Sequence, residues 1–381
     1  MTEQLDNAIQ PTLCTASRSG AIPSLGGVRA IAVSLVFFAH SGLENVIPGG
    51  LGVTIFFVLS GYLITTLMRG EFRETGSLSY PAFYLRRLLR LMPPLLIVTA
   101  AAGALSSMSV IDGSFSREGL LSVLFYFGNY YVITHDFQGL PAGLGVIWSL
   151  AVEEHYYLVY PPLALLLLRV RTPKLAAAVL SILCAVILAW RCWLAAQGTS
   201  PAYIAMATDT RVDAILIGCV MGLSCTPWPR LGQAASRRWH WIVATGCLVL
   251  LFASLLYRSD FFRMTFRYTL QSLAIAPLIY LAIAKSEHAA FRWLNSKPMA
   301  YLGSISYTVY LTHQLVLYFV LHHWPLIGWA ATTATTAFLT LAIAEPMRRW
   351  IEQPCATLRS RLHRSSMMRR SRSRDASMEA L

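Results

Sequence analysis

The chain has 381 residues, of which 56% are hydrophobic and 13% charged, with a mean hydropathy of +0.54 and a formal net charge of +13. A soluble domain is about 45–50% apolar and about 25% charged, so these few charges could not cover a soluble protein of this length. Apolar runs near the roughly 20 residues that cross a bilayer as a helix exclude an ordinary soluble enzyme and predict an all-α, polytopic transmembrane bundle.

Residues 1–23 carry Glu3 and Asp6 and lack the apolar core of a cleaved leader, so they read as a cytoplasmic tail. Hydropathy and length then predict about ten crossing helices, at roughly 28–44, 51–69, 88–109, 146–168, 175–196, 208–226, 240–257, 267–285, 300–321 and 326–348. The stretch Gly119–Val132 is short and rich in aromatics, and reads as re-entrant or interfacial. That choice puts both termini in the cytoplasm. It also puts the clusters Arg86/Arg87/Arg90, Arg169/Arg171/Lys174, Arg237/Arg238 and Arg348/Arg349 on the cytoplasmic side, as the positive-inside rule requires. Residues 24–356 form one membrane domain, with no linker and no internal repeat. Residues 357–381 are a basic tail that reads as disordered and able to touch anionic lipid. Nucleic acid is the rival explanation of the positive charge, but the arginines flank apolar runs instead of forming a patch of their own. The seven cysteines show no CxxC pair and no Cys/His ligand spacing, so neither a disulfide framework nor a metal site follows.

Four constellations carry chemistry. On the first span, Arg29 and His40 lie eleven residues apart, which puts them on one helix face at roughly 16 Å separation. An ionisable residue facing a bundle interior is a functional candidate, although an anchor and an interfacial residue would fit each taken singly. In Trp148–Tyr157, the residues Ser149, Glu153, Tyr156 and Tyr160 form one polar stripe. An interfacial position would make the carboxylates cheap; inside the span they point to function. Ser306, Tyr310 and His313 share a face on a later span, either as a site or as interhelical hydrogen bonds. Arg86, Arg87 and Arg90 open the third span and suit phosphate groups or lipid head groups. Among smaller signals, Arg211 and Asp213 are expected to pair with each other, and Gly61 to mark close helix packing. His322-His323 lacks further metal ligands, and no GxSxG elbow or Gly-rich phosphate loop supports a hydrolase or P-loop reading.

Together these segments resemble the acyltransferase-3 family of bacterial membrane acyltransferases, over roughly residues 24–356. The matching pieces are Leu25–Ala32 with His40, Phe56–Tyr62, Tyr84–Pro93, Trp148–Tyr157, Arg211-Val212-Asp213 with Gly218, Ser306–His313 and Ile351-Glu352-Gln353-Pro354. Gly26 replaces the family's usual aspartate and Tyr156 its usual phenylalanine. The last motif lies close to the end of the chain, so a fused periplasmic esterase-like domain is not expected.

The resemblance implies a multi-pass protein of the bacterial inner membrane. It would transfer an acyl group, usually acetyl from acetyl-CoA, to a hydroxyl of an exported glycan, a lipid-linked glycan, a lipid or a secondary metabolite. Its partners are the bilayer, the acyl-CoA donor and the acceptor; no metal and no nucleic acid are expected, and oligomeric state is left open. In that setting His40 is expected to act as general base, with Glu153 orienting it. An acyl-histidine intermediate is the other route. Arg29, Arg86, Arg87 and Arg90 are expected to hold the donor's phosphates, and Trp148, Ser149, Tyr310 and His313 to contact substrate. A transporter without covalent chemistry, or a membrane scaffold, are the rival classes.

Overall fold

The computed structural model describes residues 22–43, 46–170, 172–224 and 237–359. The expected N-terminal tail up to residue 21, Arg171, and the basic tail from residue 360 onward lie outside the described residues. Among the described residues all regular structure is helical. In chain order the helices are α1 (Leu25–Phe38), α2 (Gly49–Thr75), α3 (Tyr80–Ser107), α4 (Arg117–Leu124), α5 (Gly128–His135), α6 (Ile147–Arg169), α7 (Pro173–Ala196), α8 (Pro201–Met206), α9 (Thr208–Leu223), α10 (Arg237–Leu256), α11 (Asp260–Met264), α12 (Phe266–Ala284), α13 (Ala289–Arg292), α14 (Lys297–His323) and α15 (Trp329–Met347).

Among the described residues each of the ten apolar runs read from sequence falls on a helix, and six helices are both long and apolar enough to cross a membrane: Leu25–Leu43, Gly49–Thr75, Tyr80–Ser107, Pro173–Ala196, Arg238–Leu256 and Phe266–Ala284. The physical reason is visible in the others. Helix α6 carries Glu153, Glu154 and His155, α14 carries a polar face, and α9 has 16 residues. Gly119–Val132 is not one segment: Phe125–Phe127 separates α4 from α5, each of eight residues. Eight residues rise about 12 Å, well short of a bilayer's roughly 30 Å core.

Helix α2 sits in the middle of the bundle, between α1 and α9, while α7 and α10 turn most of their surface outward. Ile182, Val186, Val249 and Phe252 are exposed there, which suits acyl chains. Lipid tails are as apolar as leucine, so packing and close backbone approach must hold such helices together. The contact between α2 and α9 shows how. A Cβ built on Gly61 would overlap the Ile215 carbonyl oxygen, and one on Gly218 would overlap the Val58 carbonyl oxygen. Gly61 is therefore the close-packing point that the sequence suggested, and Gly218 is its partner. At the other end of the core, Gly303 of α14 packs against the backbone of Gly26, the position where the family's usual aspartate is missing.

Helix α1 does not end regularly. It passes into a π-helical turn, Ala39–Leu43, in which Gly42 takes φ 94°. Trp329 Nε1 of α15 donates to the Ser41 carbonyl at 2.6 Å, and Ser41 Oγ donates to the Phe37 carbonyl at 2.9 Å. This irregular turn carries His40.

Replacing Gly61 or Gly218 with leucine is expected to cost at least the ~1–3 kcal/mol of an overpacked core, because carbonyl oxygens cannot yield as side chains do. Gly70 has open space around it, so Gly70→Leu is the matched control. Thermal unfolding in detergent, comparing the three variants, is the check.

Candidate active site

Two cavities lie back to back in the bundle. The first, of about 180 Å³, is lined by Arg29 of α1, Phe56 and Ser60 of α2, Arg87 and Arg90 of α3, Ser149, Glu153 and Tyr157 of α6, and Ser306 and Tyr307 of α14. The second, of about 400 Å³, is lined by His40, Trp148, Arg263, Arg267, Gln271, Gln314 and the glycine-rich turn before α2. Val53 and Tyr310 line both and form the wall between them. Tyr310 is fixed there by a hydrogen bond of 2.6 Å between its hydroxyl and Ser149 Oγ. Successive residues of a helix lie about 100° apart, so Trp148 and Ser149 face opposite cavities.

In the arginine cavity, Arg29, Arg87 and Arg90 have no ion pair and no hydrogen bond to protein groups among the described residues. Arg87 instead lies over the Tyr157 ring, at 4.5 Å from its centroid. Among the described residues one carboxylate lines this cavity, Glu153, which accepts from Ser60 Oγ and from the Tyr157 hydroxyl, each at 3.1 Å. Three guanidinium groups against one carboxylate leave the cavity able to take a polyanion, and guanidinium groups match phosphate geometry well. Arg86, expected to join them, does not line the cavity: it pairs with Glu71 at 3.4 Å.

In the other cavity the decisive contact is between two imidazoles. His40 Nδ1 lies 3.1 Å from His313 Nε2. On its other side, His313 Nδ1 meets the carbonyl oxygens of Tyr310 at 2.8 Å and Val309 at 3.1 Å. A carbonyl only accepts, so His313 Nδ1 carries the hydrogen and Nε2 accepts. His40 Nδ1 must then donate to it, which makes Nε2 the basic nitrogen of His40. His313 is 2% exposed, whereas His40 is exposed on the cavity wall. The buried ring thus sets the tautomer of the accessible one. Sequence spacing had offered His313 as a substrate contact and Glu153 as the group orienting His40. The structure puts Glu153 in the arginine cavity and His313 against His40.

The polar stripes divide in the same way. Ser149 and Glu153 reach the arginine cavity, but the Tyr156 hydroxyl meets Cys219 Sγ at 3.1 Å and the Tyr160 hydroxyl meets Thr65 at 2.6 Å, deep in the packing of α2 and α9. The cavity tyrosines missed in sequence are Tyr157 and Tyr307, the latter donating to the Leu91 carbonyl at 2.8 Å. Glu352, in the last family motif, accepts a hydrogen bond from Thr308 of α14.

Arg211 and Asp213 do not pair with each other. Asp213 takes a two-pronged bond from Arg191, at 3.0 and 3.2 Å, and a third from Thr269 at 2.6 Å. Both partners of that pair are fully buried. Arg211 lies over the Tyr268 ring at 3.8 Å and donates to the Ala205 carbonyl at 3.2 Å. The pairing reverses because residues two apart on a helix point to different sides. Arg191 lies in the middle of an apolar run and gave no sequence signal. No three His, Cys, Asp or Glu side chains gather as a metal site among the described residues.

With this geometry in hand, comparison with known proteins decides the family. A family model described as an acyltransferase domain matches residues 22–345. The chain belongs to the acyltransferase-3 family. Peptidoglycan O-acetyltransferase OatA of Listeria monocytogenes is 30% identical over 349 residues, covering 87% of this chain and 55% of its own length. Putative peptidoglycan O-acetyltransferase YrhL of Bacillus subtilis is 31% identical over 316 residues, covering 78% of this chain and 48% of its own. A putative O-acetyltransferase of Staphylococcus aureus is 27% identical over 347 residues, covering 87% and 57%. This acyltransferase-3 chain therefore spans about half the length of the curated relatives it matches. No solved structure shows a significant match to it.

Removing one partner of a buried pair leaves the other charge uncompensated, at a cost of about 3–5 kcal/mol. Arg191→Leu and Asp213→Leu should each lower thermal stability by that order. The double variant should recover part of the loss, as thermal unfolding in detergent would show.

Proposed function

We propose that this acyltransferase-3 protein is a membrane O-acyltransferase that moves an acyl group, acetyl from an acetyl-CoA donor, to a hydroxyl of a cell-envelope glycan. The observation that carries the reading is the His40–His313 pair. It presents a basic imidazole nitrogen to one cavity, while three arginines with no ion pair among the described residues line a second cavity across the Val53–Tyr310 wall. The names of the relatives, peptidoglycan O-acetyltransferases, support a glycan as acceptor.

In this reading the arginine cavity opens toward the cytoplasm, as the positive-inside rule favours for the Arg86–Arg90 segment. Arg29, Arg87 and Arg90 hold the donor's phosphates, and Arg86 stays with Glu71. A cavity of about 180 Å³ suits the acyl-bearing arm of such a donor, with the nucleotide left at its mouth. Glu153 balances part of the arginine charge and fixes Tyr157. His40 Nε2 takes the proton of the acceptor hydroxyl as its oxygen bonds to the acyl carbon. The carbon–sulfur bond breaks, and the proton passes to the departing thiolate. Reacting atoms must approach to about 3–3.5 Å, so the acyl group has to pass between Val53 and Tyr310, and the side chain of Tyr310 must move for it.

His40→Ala should lose about 10²–10⁴-fold in turnover, the usual share of positioned acid–base catalysis. His313→Ala should lose less, through turnover rather than donor KM, because His40 keeps its place but not its tautomer. Labelled acetyl-CoA supplied to membranes, with the glycan and lipid fractions then counted, is the measurement. Full transfer by His40→Ala would overturn the mechanism, and label trapped on the protein would favour an acyl-histidine. For the donor, Arg87→Ala and Arg90→Ala should each raise KM about tenfold or more, the scale of one bond to a charged group, and Arg86→Ala less.

A further inference from the structure

The arginine cavity is accounted for by the donor, but the charge of the His40 cavity is not. Arg263 and Arg267 line it, one turn apart across the break at Thr265 between α11 and α12, and among the described residues no carboxylate lines it. Arg263 has a loose partner in Asp260, at 3.8 Å, and the Asp260 side chain is 89% exposed, where water screens the pair. Arg267 has no ion pair among the described residues; its guanidinium stands 5.4 Å from the Tyr268 ring. The same ring carries Arg211, fully buried and stacked at 3.8 Å. The buried carboxylate of Asp213 is already matched by Arg191. The wall behind the cavity is therefore net positive as well.

The remaining polar groups are those of a glycan site. Gln314, next in the chain to His313, reaches the cavity without a hydrogen bond to protein groups among the described residues. Gln271 uses its amide nitrogen on Ser254 at 3.3 Å, which leaves its carbonyl oxygen to accept from a hydroxyl. The Trp148 ring offers a flat apolar surface beside them. At about 400 Å³ the cavity falls within the common range of small-ligand pockets, about 300–1,000 Å³.

We infer that this cavity is an acceptor subsite for an anionic saccharide, with Arg267 and Arg263 binding a carboxylate or phosphate on the acceptor while His40 faces the hydroxyl to be acylated. This rests on the proposed acyl transfer and adds to it the charge of the acceptor. A neutral sugar would leave Arg267 with no ion pair among the described residues and Arg263 with only the exposed Asp260, whereas an anionic one gains charge-assisted bonds that also fix which hydroxyl lies at His40.

The test uses the full chain in detergent and three N-acetylhexosamine probes: a neutral methyl glycoside, a carboxylate-bearing ether and a 1-phosphate. Acyl transfer from labelled acetyl-CoA is measured for each, and thermal stabilisation by each probe is measured without donor. At least one anionic probe should show an apparent KM about tenfold or more below the neutral one, the scale of one charge-assisted bond. That probe should raise the melting temperature where the neutral one does not. Whichever anion does so identifies the source of the charge. Arg267→Gln should abolish the preference, Arg267→Lys should retain part of it, and Arg263→Gln, at the exposed rim, should weaken it. Equal KM and equal stabilisation across the probes would overturn the subsite, as would an anion preference that survives Arg267→Gln together with Arg263→Gln. Selective stabilisation by an anion without transfer to any probe would keep the subsite and remove the acyltransferase reading.

Discussion

An arginine inside an apolar helix bundle keeps its charge beside a carboxylate, against backbone carbonyls, over an aromatic ring, or at the edge of a cavity that admits water or an anion. This bundle uses all four, with Arg69 held by the Gly222 and Leu223 carbonyls, and the choice at each position organises the rest. Arg191 takes Asp213 and ties α7 to α9 and α12. Arg211 takes the Tyr268 ring and two oxygens. Arg87 lies over the Tyr157 ring, Arg29 and Arg90 have neither carboxylate nor ring among the described residues, and all three line a cavity. Among the described residues Glu153 is the one carboxylate that lines it with these three guanidinium groups, so the charge left over is the charge available to a ligand.

The histidine pair follows the same economy of partners. A single imidazole on a helix end can hold its proton on either nitrogen and can rotate. His313, buried with its Nδ1 against carbonyl oxygens of its own helix, has one tautomer open to it when neutral, and it passes that choice to His40. The π turn and the Trp329 hydrogen bond then hold the backbone that carries His40. A neutral ring does this without placing a negative charge beside His40, which a carboxylate in the same place would do.

Hydropathy and period made the helices legible, and with them the faces on which Arg29, His40, Ser149, Glu153, Ser306 and Tyr310 lie. They could not name neighbours. His40 and His313 are 273 positions apart, and a helical period says which side a residue occupies, not what stands across from it. That is why Tyr156 and Tyr160, on the same stripe as Glu153, belong to the packing of α2 and α9, and why Tyr157 was missed. Arg191 left no trace, since one arginine in a long apolar run does not reveal that an aspartate on another helix awaits it. Motifs shared with a family supplied order along the chain, and the fold supplied the pairings.

The wall shared by the two cavities has a consequence for the membrane as an insulator. A continuous polar bore through the bundle would carry protons and small ions down their gradients whenever the protein was idle. Here one aliphatic and one phenolic side chain, Val53 and Tyr310, stand where the two cavities meet, and such a wall breaks a file of water. With the Tyr310 hydroxyl held by Ser149, the barrier stays shut unless something large enough displaces the ring. Were the proposed transfer to run between the two cavities, the phenol would serve both as the door for the acyl group and as the seal against ions when nothing passes.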